Sequence, residues 1–142
     1  MSAIKKHEEY HDFVNLCELK MNETPLVLEP IHKFAPGLYR RELFVPAGAF
    51  ITSKVHLTEH FFELVTGVID VATQDGIVRM IAPYDCITLP GTRKIAYVIE
   101  DALMVTYHQN EDNCTDIEII ENRLFESYDN PLLKEAKMEV IK

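Results

Sequence analysis

Apolar residues recur with two different spacings along the chain, and the first of them is helical. Tyr10, Phe13, Val14 and Cys17 follow one another at steps of three, one and three positions, with acidic residues at other positions. Side chains spaced in this way lie on one face of an α-helix. The pattern therefore predicts an amphipathic helix near the N-terminus.

The second spacing is that of short β-strands, and it follows a proline-rich stretch. Pro25, Pro30 and Pro36 predict an extended arm, because proline and the residue before it disfavour helix. Beyond this arm, short apolar and β-branched runs alternate with glycine, proline and aspartate turns, and no helical pattern comes between them. Eight strands of this kind predict an antiparallel sandwich or a small barrel. The predicted strands are Leu38–Val45, Ala49–His56, Glu59–Thr66, Val68–Thr73, Ile77–Ala82, Cys86–Leu89, Lys94–Ile99 and Ala102–His108.

After Asn110 the helical spacing returns. Thr115 lies three residues before Glu118, which is the spacing of a capping box at a helix N-terminus. Pro131 is the expected end of this helix, and the charged tail from Lys134 is expected to be loosely ordered. The overall fold class is therefore α+β and mainly β. The apolar face of the predicted helix comprises Ile117, Ile120, Leu124 and Phe125.

Composition limits the classes of partner that the protein is expected to bind, and it indicates a cellular compartment. The net charge of −9 disfavours nucleic acid and anionic membranes, since both would be repelled. No apolar run reaches the roughly 20 residues of a membrane helix, and the first residues lack the apolar core of a signal peptide. Cys17, Cys86 and Cys114 lie far apart, which predicts reduced thiols in a cytoplasmic protein.

The segment from Gly48 to Gly67 combines strand-forming residues with polar ones. Strand alternation places Lys54, His56, His60 and Phe62 on the inward face, together with position 64. Polar side chains on an inward face are typical of a binding pocket. Two neighbouring residues carry carboxylates that could serve as ligand or general base. These are Glu59, beside a predicted loop, and Glu63, on the opposite face of the strand.

This segment resembles the first motif of the cupin superfamily, G-(x)5-H-x-H-(x)3,4-E-(x)6-G. Gly48, Lys54, His56, His60 and Gly67 match its spacing without a gap. The residue types differ at two positions. Lysine stands where the first histidine belongs, and the second histidine of this chain stands where the glutamate belongs.

A looser match to the second cupin motif, G-(x)5-P-x-G-(x)2-H-(x)3-N, begins near Ile87. Pro90 and Gly91 are adjacent here, although the motif separates them by one residue. Lys94 takes the position of the histidine and Val98 that of the asparagine. The two matches together span about half of the chain, and they imply a double-stranded β-helix, the jelly-roll-like barrel of the cupins.

The resemblance implies a metal site inside that barrel. Cupins of the metal-bearing type hold a divalent ion with three histidines and a glutamate, which leaves His56 and His60 as matching ligands. A third candidate follows from strand register: if Glu100-Asp101 forms a two-residue hairpin turn, His108 pairs with Arg93, next to Lys94. Three imidazoles with an open coordination position suit Zn, Fe, Mn or Ni.

The lysine replacements support a different interpretation of the same pocket. Lys54, Arg93 and Lys94 are cations, and protonated cations repel a bound metal ion. A cavity that contains them could instead hold a small anionic molecule such as a carboxylate or a phosphate. Phe62 and Tyr97 would then form part of its wall.

Three functions remain open on the sequence alone. The first is a metal-dependent enzyme acting on a small organic substrate, the second a non-catalytic module that sequesters or senses a small anion, and the third a structural scaffold. The chain is expected to be one cupin domain and a homodimer, whose extended arm is suited to exchange between protomers. Its predicted parts are an N-terminal helix (1–21), an extended arm (22–37), a β-barrel (38–110) and a C-terminal helix with a tail (111–142).

Overall fold

The computed structural model describes residues 9–10, 12–17, 28–73 and 75–126. The chain divides into two compact units, one formed by Met1–Leu26 with Ser127–Lys142 and the other by Val27–Glu126. In the first unit, residues 9–10 and 12–17 are helical, and residues 12–17 are labelled α1 here. The predicted N-terminal helix is confirmed over these residues. Val14 is buried as expected, but Phe13 is exposed.

The described residues of the second unit form seven antiparallel strands and one helix. The predicted α+β class, with a mainly antiparallel β body, is confirmed. Among the described residues, no helix is long and apolar enough to cross a membrane. The elements are β1 (Ile31–Ala35), β2 (Gly37–Val45), β3 (Phe50–Thr52), β4 (His60–Thr73), β5 (Gly76–Ile81), β6 (Tyr84–Thr88), β7 (Ile95–Asn110) and α2 (Ile117–Leu124).

Two long strands, β4 and β7, form the centre of the sheet. The main path of hydrogen-bonded neighbours is β1-β2-β7-β4-β5, and β3 pairs with β7 while β6 pairs with β4. All of these pairs are antiparallel. The main core cluster includes Leu64, Ile69, Val71 and Val98, whose side chains come from β4 and β7.

The prediction of a hairpin turn at Glu100-Asp101 is wrong. β7 continues through both residues, and the two strands predicted on either side of Gly67 are likewise one strand, β4. β4 and β7 stay paired with each other on both sides of Gly67, with register shifts around that residue. His108 consequently pairs with Tyr39 of β2, and not with Arg93.

The arm and the helix cap also differ from their predicted form. The described part of the arm contains β1, a strand that the sequence did not predict, and β1 pairs with β2 of the same chain. Helix α2 is capped by Asp116 in place of Thr115, because the Asp116 carboxylate accepts hydrogen bonds from the backbone N–H groups of Glu118 and Ile119. Helix α2 ends at Leu124, before the predicted end at Pro131, and Pro131 and the tail lie outside the described residues. The homodimer stays a prediction.

Candidate functional site

The β body encloses a cavity of about 390 Å³. Its apolar wall comes from the inward faces of β2, β3, β4, β5 and β7. Six residues that the sequence assigned to a pocket line this one cavity, and the first four of them belong to the predicted inward face. They are Lys54, His56, His60, Phe62, Lys94 and His108.

Three histidine rings form a row on the cavity wall. The ring centroids of His56 and His60 are 4.8 Å apart, and those of His60 and His108 are 4.4 Å apart. All three residues are buried. They come from three places in the fold: His56 from the loop before β4, His60 from the start of β4 and His108 from the end of β7. His108 lines the same cavity as Lys94, although the register that suggested this is wrong.

Each of these rings has one buried nitrogen without a hydrogen-bond partner. The atoms are Nδ1 of His56, Nε2 of His60 and Nδ1 of His108. On the opposite side of two rings the other nitrogen is engaged: His60 Nδ1 donates to the carbonyl oxygen of Thr58 at 2.9 Å, and His108 Nε2 lies 2.8 Å from Thr106 Oγ1. A buried polar atom without a partner is costly, so this arrangement favours a bound group. The contacts of His60 Nδ1 and His108 Nε2 resemble those that orient metal-binding imidazoles.

The cavity keeps these imidazoles neutral. The pKa of His56 is lowered to about 3, first by burial and then by the neighbouring charge that a protonated His60 would carry. Burial likewise lowers the pKa of His108 to about 3, and it lowers the pKa of His60. A neutral imidazole is the form that binds a metal ion.

The loop that carries His56 is attached to the end of helix α2. The backbone N–H of Leu57 donates to the carbonyl of Leu124 at 2.8 Å, and that of Glu126 donates to Val55 at 2.9 Å. His56 itself forms a β-bridge with Phe125, and their rings lie 5.4 Å apart. The helix thus holds the first of the three histidines in position.

The cavity contains an ion pair that the sequence did not assign to it. Arg41 Nη1 lies 3.5 Å from Glu121 Oε1, and both residues line the cavity. The two residues are 80 positions apart, and only the fold brings the end of α2 next to β2. The sequence signal was weak: Arg41 lies beside Arg40 on a predicted strand, and Glu121 has the appearance of a solvated helix residue.

The cations of the pocket differ in their surroundings. Lys54 lines the cavity but is exposed, because β3 ends at Thr52 and the chain leaves the sheet there. Lys94 is half-buried, and its Nζ donates to Thr88 Oγ1 at 2.7 Å. Burial lowers the pKa of Lys94.

Four further candidates lie away from the cavity lining. Arg93 is buried and its Nε donates to the carbonyl of Ser53 at 3.3 Å. Tyr97 packs against Phe50 with a ring distance of 4.7 Å and is partly exposed. Glu59 is exposed. Glu63 accepts a hydrogen bond from the Tyr107 hydroxyl at 3.1 Å, on the strand face opposite Phe62. The structure therefore does not place Glu59 or Glu63 next to a ligand in the cavity.

The donor set fits a divalent transition metal in its chemistry. Three neutral imidazoles, each with an unpartnered nitrogen, are the ligands that Zn, Fe and Ni accept. Among the described residues, no group of three or more His, Cys, Asp or Glu side chains is arranged to hold a metal ion as it stands. Binding would thus require the three rings to reorient toward a common point.

Comparisons with known proteins detect the fold but no close relative. No family model matches the chain, and no curated protein matches it. Solved structures do. A cupin-2 domain protein from Shewanella frigidimarina has a TM-score of 0.50 and 12% identity over 64% of this chain and 89% of its own. The Clostridium difficile EutQ protein has a TM-score of 0.50 and 12% identity, covering 61% and 70%.

A third similar structure is a named enzyme. The DMSP lyase DddQ from Ruegeria pomeroyi has a TM-score of 0.51 and 9% identity over 62% of this chain, and the match spans 49% of the lyase. Similarity at this level of identity identifies the fold alone. The antiparallel β body of this chain is a cupin barrel, as the motif spacing predicted.

Proposed function

We propose that this protein is a cupin that holds a divalent transition metal with His56, His60 and His108 and takes a small organic ligand in the adjoining cavity. One observation carries the proposal: three neighbouring buried imidazoles each have a nitrogen without a partner. A metal bound there would act as a Lewis acid on an oxygen of the ligand. The DMSP lyase among the similar structures supports an enzyme with this fold.

The remaining polar residues of the cavity would bind and orient the ligand. Arg41 and Lys54 supply positive charge for a carboxylate, and Arg41 also lies 5.6 Å from the centre of the Phe125 ring. Glu121 is the one acid among the described lining residues. It takes the general-base position that the sequence assigned to Glu59 or Glu63, since a base must lie within reach of the proton it removes.

Metal titration of the purified full-length chain tests the proposal. After dialysis against a chelator, Co²⁺ is added and its visible absorption is followed, with Zn²⁺ as competitor. We expect saturation at about one metal per chain, because three imidazoles leave room for a single ion. The double variant His56→Ala/His60→Ala removes two of the three ligands. Its affinity is expected to fall by more than the roughly 100-fold that follows loss of a supporting residue alone.

His32→Ala is the matched control for this titration. His32 lies on β1, does not line the cavity, and contacts Tyr39 Oη through Nδ1 at 2.6 Å. This variant should bind Co²⁺ as the wild type does. Sub-stoichiometric binding by the wild type, or unchanged affinity in the double variant, contradicts the metal site.

The charge of the cavity favours a second candidate, a non-catalytic module for a small anion. With its histidines neutral, the lining has three cations and one acid among the described residues: Arg41, Lys54, Lys94 and Glu121. Unlike the metal proposal, this one requires no bound ion. It also agrees with the placement of Glu59 and Glu63 away from the cavity.

Thermal stabilisation of chelator-treated protein by succinate or phosphate tests this candidate. A ligand at 100 times its Kd should add about 2.7 kcal/mol to the free energy of unfolding. The stabilisation should be lost in Arg41→Met, since that guanidinium supplies the cavity cation best suited to a carboxylate. Lys33→Met is the control, because Lys33 pairs with Glu42 and does not line the cavity. Equal stabilisation in both variants contradicts anion binding in the cavity.

A further inference from the structure

Lys94 is a nucleophilic group that the proposed metal site does not use. It lies immediately before β7 and lines the cavity. Besides an electrostatic interaction with Cys86, which favours the charged form, its amine has the hydrogen bond to Thr88 Oγ1 at 2.7 Å and the face of the Phe62 ring, whose centre is 4.8 Å from Nζ. Both contacts hold the end of this flexible side chain in one place on the cavity wall.

This amine has no carboxylate partner among the described residues. The ion pairs of the described chain involve Lys33, Arg40, Arg41, Arg79 and Arg123 as cations. The single described acid of the lining, Glu121, is engaged with Arg41. A half-buried ammonium without a counter-ion is unfavourable, and the cavity has further positive charge at Arg41 and Lys54.

A desolvated amine without a carboxylate partner is the usual form of an imine-forming lysine. The desolvated surroundings favour the neutral amine, and burial correspondingly lowers its pKa. Lys54 is the contrasting case in the same cavity, since it is exposed to solvent. The burial of Lys94 and the exposure of Lys54 therefore make Lys94 the better nucleophile of the two.

We propose that Lys94 forms a reversible imine with small oxo acids that enter the cavity. The lone pair of Nζ attacks the carbonyl carbon to give a carbinolamine. This intermediate then loses the former carbonyl oxygen together with both amine hydrogens as one molecule of water, which leaves a C=N bond. The step involves no oxidant, no reductant and no metal ion.

The surroundings of Lys94 indicate the class of ligand. A carbonyl group is needed at Nζ, and a carboxylate on the same molecule would meet the guanidinium of Arg41 or the amine of Lys54. The cavity of about 390 Å³ falls at the small end of ligand pockets. A short α-oxo acid satisfies all three conditions. The inference thus deepens the small-ligand part of the proposed function and is independent of its metal part.

Reductive trapping on the full-length chain tests the imine. Protein is incubated with pyruvate and cyanoborohydride at neutral pH, and modified lysines are quantified by peptide mass spectrometry over time. Burial lowers the pKa of Lys94, which raises the neutral fraction of its amine, and the cavity holds an oxo acid beside that amine. We therefore expect Lys94 to be labelled several-fold faster than Lys54 and the surface residue Lys33. Unfolding in urea should abolish this preference.

Two variants give independent controls. Lys94→Arg should remove the fast adduct, whereas Lys33→Arg, at a surface ion pair, should leave it unchanged. The site-resolved labelling of the wild type decides the matter even if Lys94→Arg does not fold. Labelling of Lys94 no faster than that of Lys33 overturns the proposal, as does a preference that survives unfolding.

The outcome is separable from that of the metal site. Trapping is carried out on chelator-treated protein, and Co²⁺ binding is measured on the same preparation without pyruvate. Fast labelling of Lys94 together with no Co²⁺ binding would support the imine and overturn the metal site. Stoichiometric Co²⁺ binding together with slow labelling would support the metal site and overturn the imine.

Discussion

Gly67→Ala is expected to lower the free energy of unfolding by about 3–5 kcal/mol. A Cβ at this position would lie 2.4 Å from the backbone oxygen of Asp101 and 2.7 Å from the Cα of Ala102. Gly67 also has φ of +97°, which L-residues rarely adopt. Backbone atoms cannot move aside as a flexible side chain can, so the pairing of β4 with β7 around Gly67 would have to open.

Gly91→Ala is the matched control for this effect. Gly91 has a similar φ of +85°, but a Cβ there would meet nothing within 4 Å. The Gly91→Ala substitution should lower the free energy of unfolding only by its conformational strain, about 1 kcal/mol. Urea unfolding of the two variants beside the wild type measures the difference. A Gly67 variant no less stable than the Gly91 variant would show that β4 and β7 do not approach so closely.

The metal-free protein is expected to lose stability steeply as the pH falls below about 6.5. In the folded state the pKa values of His56 and His108 are lowered to about 3, whereas unfolded histidines titrate near 6.5. Between these values the unfolded chain binds the additional protons, so acid favours unfolding. Each of the two histidines contributes about 1.4 kcal/mol of lost stability per pH unit in that window.

Urea midpoints at pH 8, 6 and 5, in the presence of a chelator, measure this dependence. His108→Gln removes one of the three cavity rings whose pKa is lowered, and its loss of stability between pH 6 and pH 5 should be smaller than the wild-type loss. Above pH 7 the wild-type curve should be flat with respect to these groups. Equal stability of the wild type at pH 8 and pH 5 would mean that the rings are accessible to water.

The inward face of the barrel could be predicted because strand alternation is a local property. His60, Phe62 and Leu64 alternate along one strand, and the structure buries all three. The residues at the ends of strands were harder to predict. Lys54 follows the same alternation on paper, but β3 ends at Thr52 and its side chain is exposed.

The long-range features of the site could not be predicted, because they depend on contacts between distant segments. Glu100 and Asp101 are typical turn residues, yet β7 passes through them, because it pairs with β3 before them, with β2 after them and with β4 on both sides. The prediction of His108 as a metal ligand therefore depended on a wrong strand register. The pairing of Arg41 with Glu121 likewise has no local sequence signal, since only the docking of α2 brings them together.

The attachment of helix α2 to the His56 loop fixes the order in which the site can be completed during protein synthesis. Residues 124–126 supply the backbone partners of positions 55–57, and they are made after every strand of the barrel. A nascent chain released before that point can form β4 and β7 but lacks the bonds that hold His56 beside His60. The three-histidine row is thus finished by the last described segment of the chain to leave the ribosome.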